Sequence, residues 1–135
     1  MMEGPIFADA FHFIALLNPH DQHHAGAVAA AGLFGGRMIT THWVLVEVAD
    51  ALCHPGMRGL VVALLGHLSS DPNVEVIAPE PTLAYRGWDL YARRPDKAWS
   101  LTDCISFVVM QERSLTDALT GDHHFEQAGF VALLK

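Results

Sequence analysis

The sequence predicts an α/β fold in which a parallel sheet is covered by helices on both faces. Short apolar runs bounded by Gly, Pro, Asp or Thr recur along the chain, as buried parallel strands do. Longer stretches with helical periodicity lie between them, and this alternation favours a parallel sheet over an antiparallel one. A chain of 135 residues suits one domain spanning 1–135 and is long enough to bury a core.

The first strand, Ile6 to Ala8, runs into Asp9 and a helix over 10–17. A helix over 21–34 precedes a strand at Met38 to Thr40, and helices over 42–53 and 57–69 separate that strand from Val74 to Ile77. Helices over 80–93 and 101–113 lead to a strand at Ala118 and Leu119, and a short helix over 123–128 leads to a last strand at Phe130 to Leu133. The clearest periodicity is in 57–69, where Met57, Leu60, Val61, Leu64, Leu65 and Leu68 recur at helical spacing. Val62 and Ala63 widen this stripe, so the helix is either buried within its own fold or covered by a partner. No internal repeat, charge block or linker interrupts the chain.

Hydrophobic residues make up 51% and charged residues 17%, which excludes a disordered tail. With 8 Lys and Arg against 15 Asp and Glu the net charge is −7, which argues against a generic basic surface for polyphosphates. Nucleic-acid contact must then be local or metal-assisted. Cys53 and Cys104 form no CxxC motif and no disulfide framework, which points to a reducing compartment and to two small core residues. The sequence opens without a basic leader region, and no run reaches the roughly 18 apolar residues of a membrane span. A cytoplasmic location without membrane contact is expected.

The acidic residues carry the chemistry. Asp9 follows a strand and opens a helix, where an N-cap role would suffice by itself. Ser100 and Asp103 have capping-box spacing, and Asp122 is placed to cap the short helix after the fourth strand. Glu47 interrupts the apolar run Trp43 to Ala49; it is either a buried carboxylate that needs a partner or part of a solvated face beside Asp50. Taken together, Asp9, Asp103 and Asp122 fall at helix N-termini, on the sheet edge where α/β ligand sites form, and Glu47 can reach the same edge. Crowded carboxylates raise one another's pKa unless a cation neutralises them, and oxygen donors favour Mg²⁺ or Mn²⁺ over zinc. The reaction class suggested is metal-dependent phosphodiester hydrolysis.

These residues resemble the PIN domains, and within them the short VapC-like ribonucleases of toxin–antitoxin systems. The resemblance spans nearly the whole chain. It is carried by Phe-Ala-Asp9, by Thr-Thr-His-Trp-Val-Leu-Val-Glu47, by the stretch from Asp96 and Lys97 through Trp99 to Asp103-Cys-Ile-Ser-Phe, and by Leu-Thr-Gly-Asp122-His-His-Phe-Glu-Gln-Ala-Gly-Phe. The order Asp, Glu, Asp, Asp matches the family's acidic quartet. The resemblance implies a three-layer α/β/α fold and a Mg²⁺- or Mn²⁺-dependent endoribonuclease acting on single-stranded RNA. It implies Asp9, Glu47, Asp103 and Asp122 as catalytic metal ligands that position a hydroxide, leaving a 5′-phosphate and a 3′-hydroxyl. It further implies a homodimer and, for a toxin, a small antitoxin partner.

The basic cluster Arg93, Arg94 and Lys97 lies just upstream of Asp103, where Arg94 and Lys97 can hold substrate phosphates or simply form a solvated helix end. Trp99 is open to two readings, a base-stacking ring or a buried aromatic beside the Ser100 cap, the second being expected. His20, His23 and His24 have helical spacing but no cysteine partners, so a zinc site is not expected there. His123 or His124 can orient a ligand beside Asp122, although a surface or packing role is favoured. An antitoxin helix would lie across the 42–53 and 57–69 pair. Two alternatives stand beside the toxin nuclease: a non-catalytic PIN-fold regulatory module, which would not bind Mg²⁺ or Mn²⁺ in a calorimetric titration, and a metal-dependent nuclease with a non-toxin RNA-processing role. A nucleotide phosphatase or flap-type DNA nuclease would be separated by competing substrates.

Overall fold

The computed structural model describes residues 4–33 and 36–135. Its elements run in order β1 (Ile6–Ala8), α1 (Ala10–Leu17), α2 (His24–Leu33), β2 (Met38–Thr41), α3 (His42–Ala51), α4 (Pro55–Ser70), β3 (Val74–Ile77), α5 (Pro81–Arg93), α6 (Leu101–Glu112), β4 (Asp117–Leu119), α7 (His123–Gln127) and β5 (Val131–Ala132). The strands form a five-stranded sheet in the order β3-β2-β1-β4-β5, and every neighbouring pair is parallel. All residues of β1 are buried. Successive side chains of a strand face opposite sides, so β1 is covered on both faces and the sheet forms the middle of three layers.

The topology decides where a site can form. From β1 the chain moves outward through β2 to β3, then returns to the other side of β1 for β4 and β5. The carboxyl ends of β1 and β4 therefore flank the point where the strand order reverses, and in open α/β sheets ligands bind at this point. Behind it lies an aromatic cluster. Phe125 of α7 is fully buried, 4.9 Å from Phe107 and 6.3 Å from Phe7 between ring centroids, so it pins this short helix to the sheet.

Several expectations are corrected. Helix α2 starts at His24, later than predicted, because Asp21 closes a turn: its side chain accepts a hydrogen bond from the His23 N–H at 2.8 Å and its carbonyl one from His24. Phe34, predicted as the end of this helix, and Met1, Met2 and Glu3 of the leader reading lie outside the described residues. Helix α4 begins at Pro55, which suits a first helical position. Its buried face is Val61, Leu64 and Leu68, whereas Leu60 and Val62 are 45% and 67% exposed. Leu60 belonged to the predicted apolar stripe, but one residue turns the helix by about 100°, which carries it off the narrower face that meets the core. Cys53, expected in the core, is exposed, because it lies past the end of α3 in the link to α4; Cys104 is buried as expected. No helix among the described residues is long and apolar enough to cross a membrane.

Helices α5 and α6 pack closely through Gly87, where an added Cβ would run into the Ile105 side chain. Replacing Gly87 by Ala should lower stability by about 1–3 kcal/mol through overpacking, despite alanine's better helix propensity. A urea midpoint shifted downward would bear this out, and an unchanged or raised midpoint would contradict it.

Candidate active site

Asp9 directly follows β1 and occupies the N-cap position of α1, yet its side chain makes no capping hydrogen bond. Its Oδ2 instead accepts a hydrogen bond from the Thr120 hydroxyl at 2.8 Å, across the gap to the loop after β4. The same hydroxyl oxygen accepts the Asp122 backbone N–H at 3.1 Å. Thr120 is fully buried and so ties the loops after the two central strands together. Sequence reasoning assigned Thr120 no role. The available signal was its place two residues before an acid at a strand end.

Asp103 sits in the first turn of α6 and makes the predicted capping box: its N–H donates to the Ser100 hydroxyl at 3.0 Å while its Oδ2 accepts the Ser100 N–H at 3.1 Å. Asp122 caps α7 as predicted, accepting the His124 N–H at 2.9 Å. The structural and site roles of these acids therefore coexist. His124 folds back from α7 so that its Nδ1 lies 3.0 Å from Asp103 Oδ2 and 3.4 Å from Asp122 Oδ1. The two carboxylates thus share one imidazole. Asp122, His123 and His124 offer ligand atoms within 4.8 Å of one another.

Glu47, half-buried on α3, completes the group. Burial pushes its carboxyl pKa up, and Asp103, Asp122 and Asp50 push it further, against the Thr102 hydroxyl. This excludes the purely solvated face. Asp103 is also raised, first by burial and then by Asp122, opposed by the Ser100 N–H and His124. Asp9 is raised to about 7, first by burial and then by Asp103 and Glu47, with Thr120 pulling it down. The four predicted acids are therefore electrostatically coupled, Asp9 to Asp103 and Glu47, Glu47 to Asp103 and Asp122, and Asp103 to Asp122, although the tight ligand cluster among the described residues is Asp122, His123 and His124. Arg94 and Lys97 lie outside that group, in a cleft beside α5 and the start of α6. Trp99 takes its buried reading: its Nε1 donates to Gln127 at 3.0 Å and its ring meets Phe107 edge-on. Among the described residues His20, His23 and His24 form no metal cluster; His23 lies against the Phe11 ring, and His24 Nδ1 pairs with the Ala15 carbonyl at 2.8 Å.

A group of half-buried and buried carboxylates that raise one another's pKa is what a divalent cation would relieve, so the donor set fits such an ion. Comparison with known proteins decides the family. The 23S rRNA-specific endonuclease VapC20 of Mycobacterium tuberculosis, in strains CDC 1551 / Oshkosh and H37Rv alike, is 30% identical over 127 residues, covering 93% of this chain and 95% of the relative. The chain belongs to the VapC-like PIN-domain ribonucleases. It is a ribonuclease of the toxin type. The crystal structure of M. tuberculosis VapC20, described as a sarcin-ricin-loop-cleaving toxin, superposes with a TM-score of 0.85 at 26% identity, covering 93% of this chain and 96% of that one. No protein-family model matches the chain. The α/β fold read from the sequence is the fold of this relative.

The Asp9 carboxyl binds its proton more tightly in the folded chain than in the unfolded one. Its stabilising contribution is thus complete below about pH 4 and is lost as pH rises through about 7. His12, buried and lowered to about 4, works in the opposite sense over part of that range, so the informative quantity is a difference between variants. In EDTA, Asp9→Asn should gain stability relative to the wild type as pH rises from 4 to 7, by an amount on the order of 4 kcal/mol. Denaturant melts at several pH values would show it, and a pH-independent difference would contradict it.

Proposed function

We propose that Asp9, Glu47, Asp103 and Asp122 hold Mg²⁺ or Mn²⁺ and that the chain uses this centre to hydrolyse phosphodiester bonds in single-stranded segments of RNA. The observation that carries this reading is the convergence of the four acids beside the reversal point of the sheet, with three of their pKa values raised. A bound ion supplies Lewis acidity, lowering the pKa of water and neutralising charge on the phosphodiester. The chain's own groups set the geometry. Thr120 fixes Asp9 relative to Asp122, the Ser100 box fixes Asp103 on a rigid helix, and His124 holds Asp103 and Asp122 at a set separation. Lys97 and Arg94 lie next to Ser100, where they meet phosphates arriving at Asp103.

The name of VapC20 makes ribosomal RNA the substrate class we infer. We further infer one PIN-like domain over 1–135, a cytoplasmic location, a homodimer and an antitoxin partner. The antitoxin site we favour is the α3–α4 groove of about 280 Å³, lined by Ala49, Leu52, Val61, Val62 and Leu65 among others, which coincides with the helix pair predicted for it.

Purified protein with Mn²⁺ should cut ribosomal RNA, and either EDTA or Asp103→Asn should slow cutting by at least about a hundredfold. Gel analysis of the products tests this. Cutting that persists unchanged in Asp103→Asn would overturn the assignment.

A further inference from the structure

The acidic centre repels an approaching phosphodiester chain, so a substrate strand must be held elsewhere on the surface. The sequence concentrates the means to do so in one segment. Of the 8 Lys and Arg residues in a chain of net charge −7, Arg86, Arg93, Arg94 and Lys97 fall within 86–97. The same segment and the residue before it carry Tyr85, Trp88 and Tyr91, which are 71%, 53% and 48% exposed. No other Phe, Tyr or Trp among the described residues is exposed to this degree.

Helix α5 buries Leu83 and Gly87, with Gly87 against Ile105 of α6; Tyr85 falls on the opposite side, while Trp88 and Tyr91 project from the flank of the helix, about 120° and about 60° from the buried direction. Spaced every third residue, they advance roughly 4.5 Å per ring along the axis. Trp88 and Tyr91 meet edge-on at 5.7 Å. They border a cleft of about 840 Å³ that continues past Arg94 and Lys97 to Ser100, whose hydroxyl and N–H hold Asp103. The cleft ends at Ser100, one hydrogen bond from Asp103, although none of the four acids lines it.

We propose that this face is a platform for single-stranded RNA: bases stack on Trp88 and Tyr91, with Tyr85 extending the row, and Lys97 and Arg94 take the phosphates nearest the scissile bond. The proposal rests on the nuclease reading and names the surface that feeds it. Aromatic rings interleaved with cations are the means by which proteins hold single strands without reading their sequence. Arg86, Arg93 and Arg94 pair with Glu112, Asp89 and Asp96 on the surface, pairs weak enough for a phosphate to displace. Lys97 has no carboxylate partner among the described residues.

The test uses the full chain carrying Asp103→Asn, titrated into a fluorescein-labelled single-stranded 12-mer RNA and followed by anisotropy at two salt concentrations. Adding Trp88→Ala and Tyr91→Ala should weaken binding at least about tenfold with an unchanged melting temperature. Adding Lys97→Ala instead should reduce the salt slope by about one. In the wild-type background the two ring substitutions should raise KM for long RNA while leaving kcat nearly unchanged. Binding within twofold of the parent overturns the platform. So does a loss of binding accompanied by a shift from dimer to monomer in sedimentation, which would make the face an interface between copies. If wild-type protein with Mn²⁺ cuts no RNA, the nuclease reading fails, and the anisotropy arm still decides the platform.

Discussion

Carboxylates crowded together with little water repel one another and resist ionisation, and this chain accepts that cost at the carboxyl edge of its sheet. Three of the four acids cannot drift apart, because each is fixed by a structural bond of its own. Asp103 is locked in the first turn of α6 by the Ser100 box, Asp122 caps α7, and Asp9 is tied to the loop after β4 through Thr120. On the proposed reading, these constraints turn an electrostatic liability into a preorganised site for a divalent cation.

The fold exists to place those bonds. The order of strands reverses at β1, so the loops after β1 and β4 become neighbours although they are far apart in sequence. Thr120 bridges them. Phe125 anchors the helix that carries His124, and Gly121 allows the loop to pass close against the Phe11 ring. His124 then links Asp103 to Asp122, joining two of the four stretches that carry the family resemblance.

The strands were legible because buried parallel strands are short apolar runs with sharp punctuation: β1 and β3 have the predicted bounds. Helix starts were less legible where a turn competed, as at Asp21, and burial was overread wherever apolar residues outnumber the positions that a helix can bury. Leu60 is the case in point. The positions of the acids were legible, Asp9, Asp103 and Asp122 from their places at helix N-termini and Glu47 from the apolar run it interrupts in α3. Thr120 was not, since a hydroxyl that spans two loops leaves no periodic trace; His124, singled out beside Asp122 but expected at the surface or in packing, instead turns back between two carboxylates. The exposed rings of α5 were passed over for a similar reason. Aromatic residues in a helix read as core until the packing shows which face they occupy.

On the proposed reading the Asp9 carboxyl, raised to about 7, keeps its proton near neutral pH until a cation arrives. The most direct measurement is calorimetric titration of Mn²⁺ into the wild-type protein near pH 6, repeated in buffers of different ionisation enthalpy to count protons. The account predicts saturable binding with net proton release, both lost or sharply reduced in Asp9→Asn. Binding without proton release, or no binding at all, would contradict it.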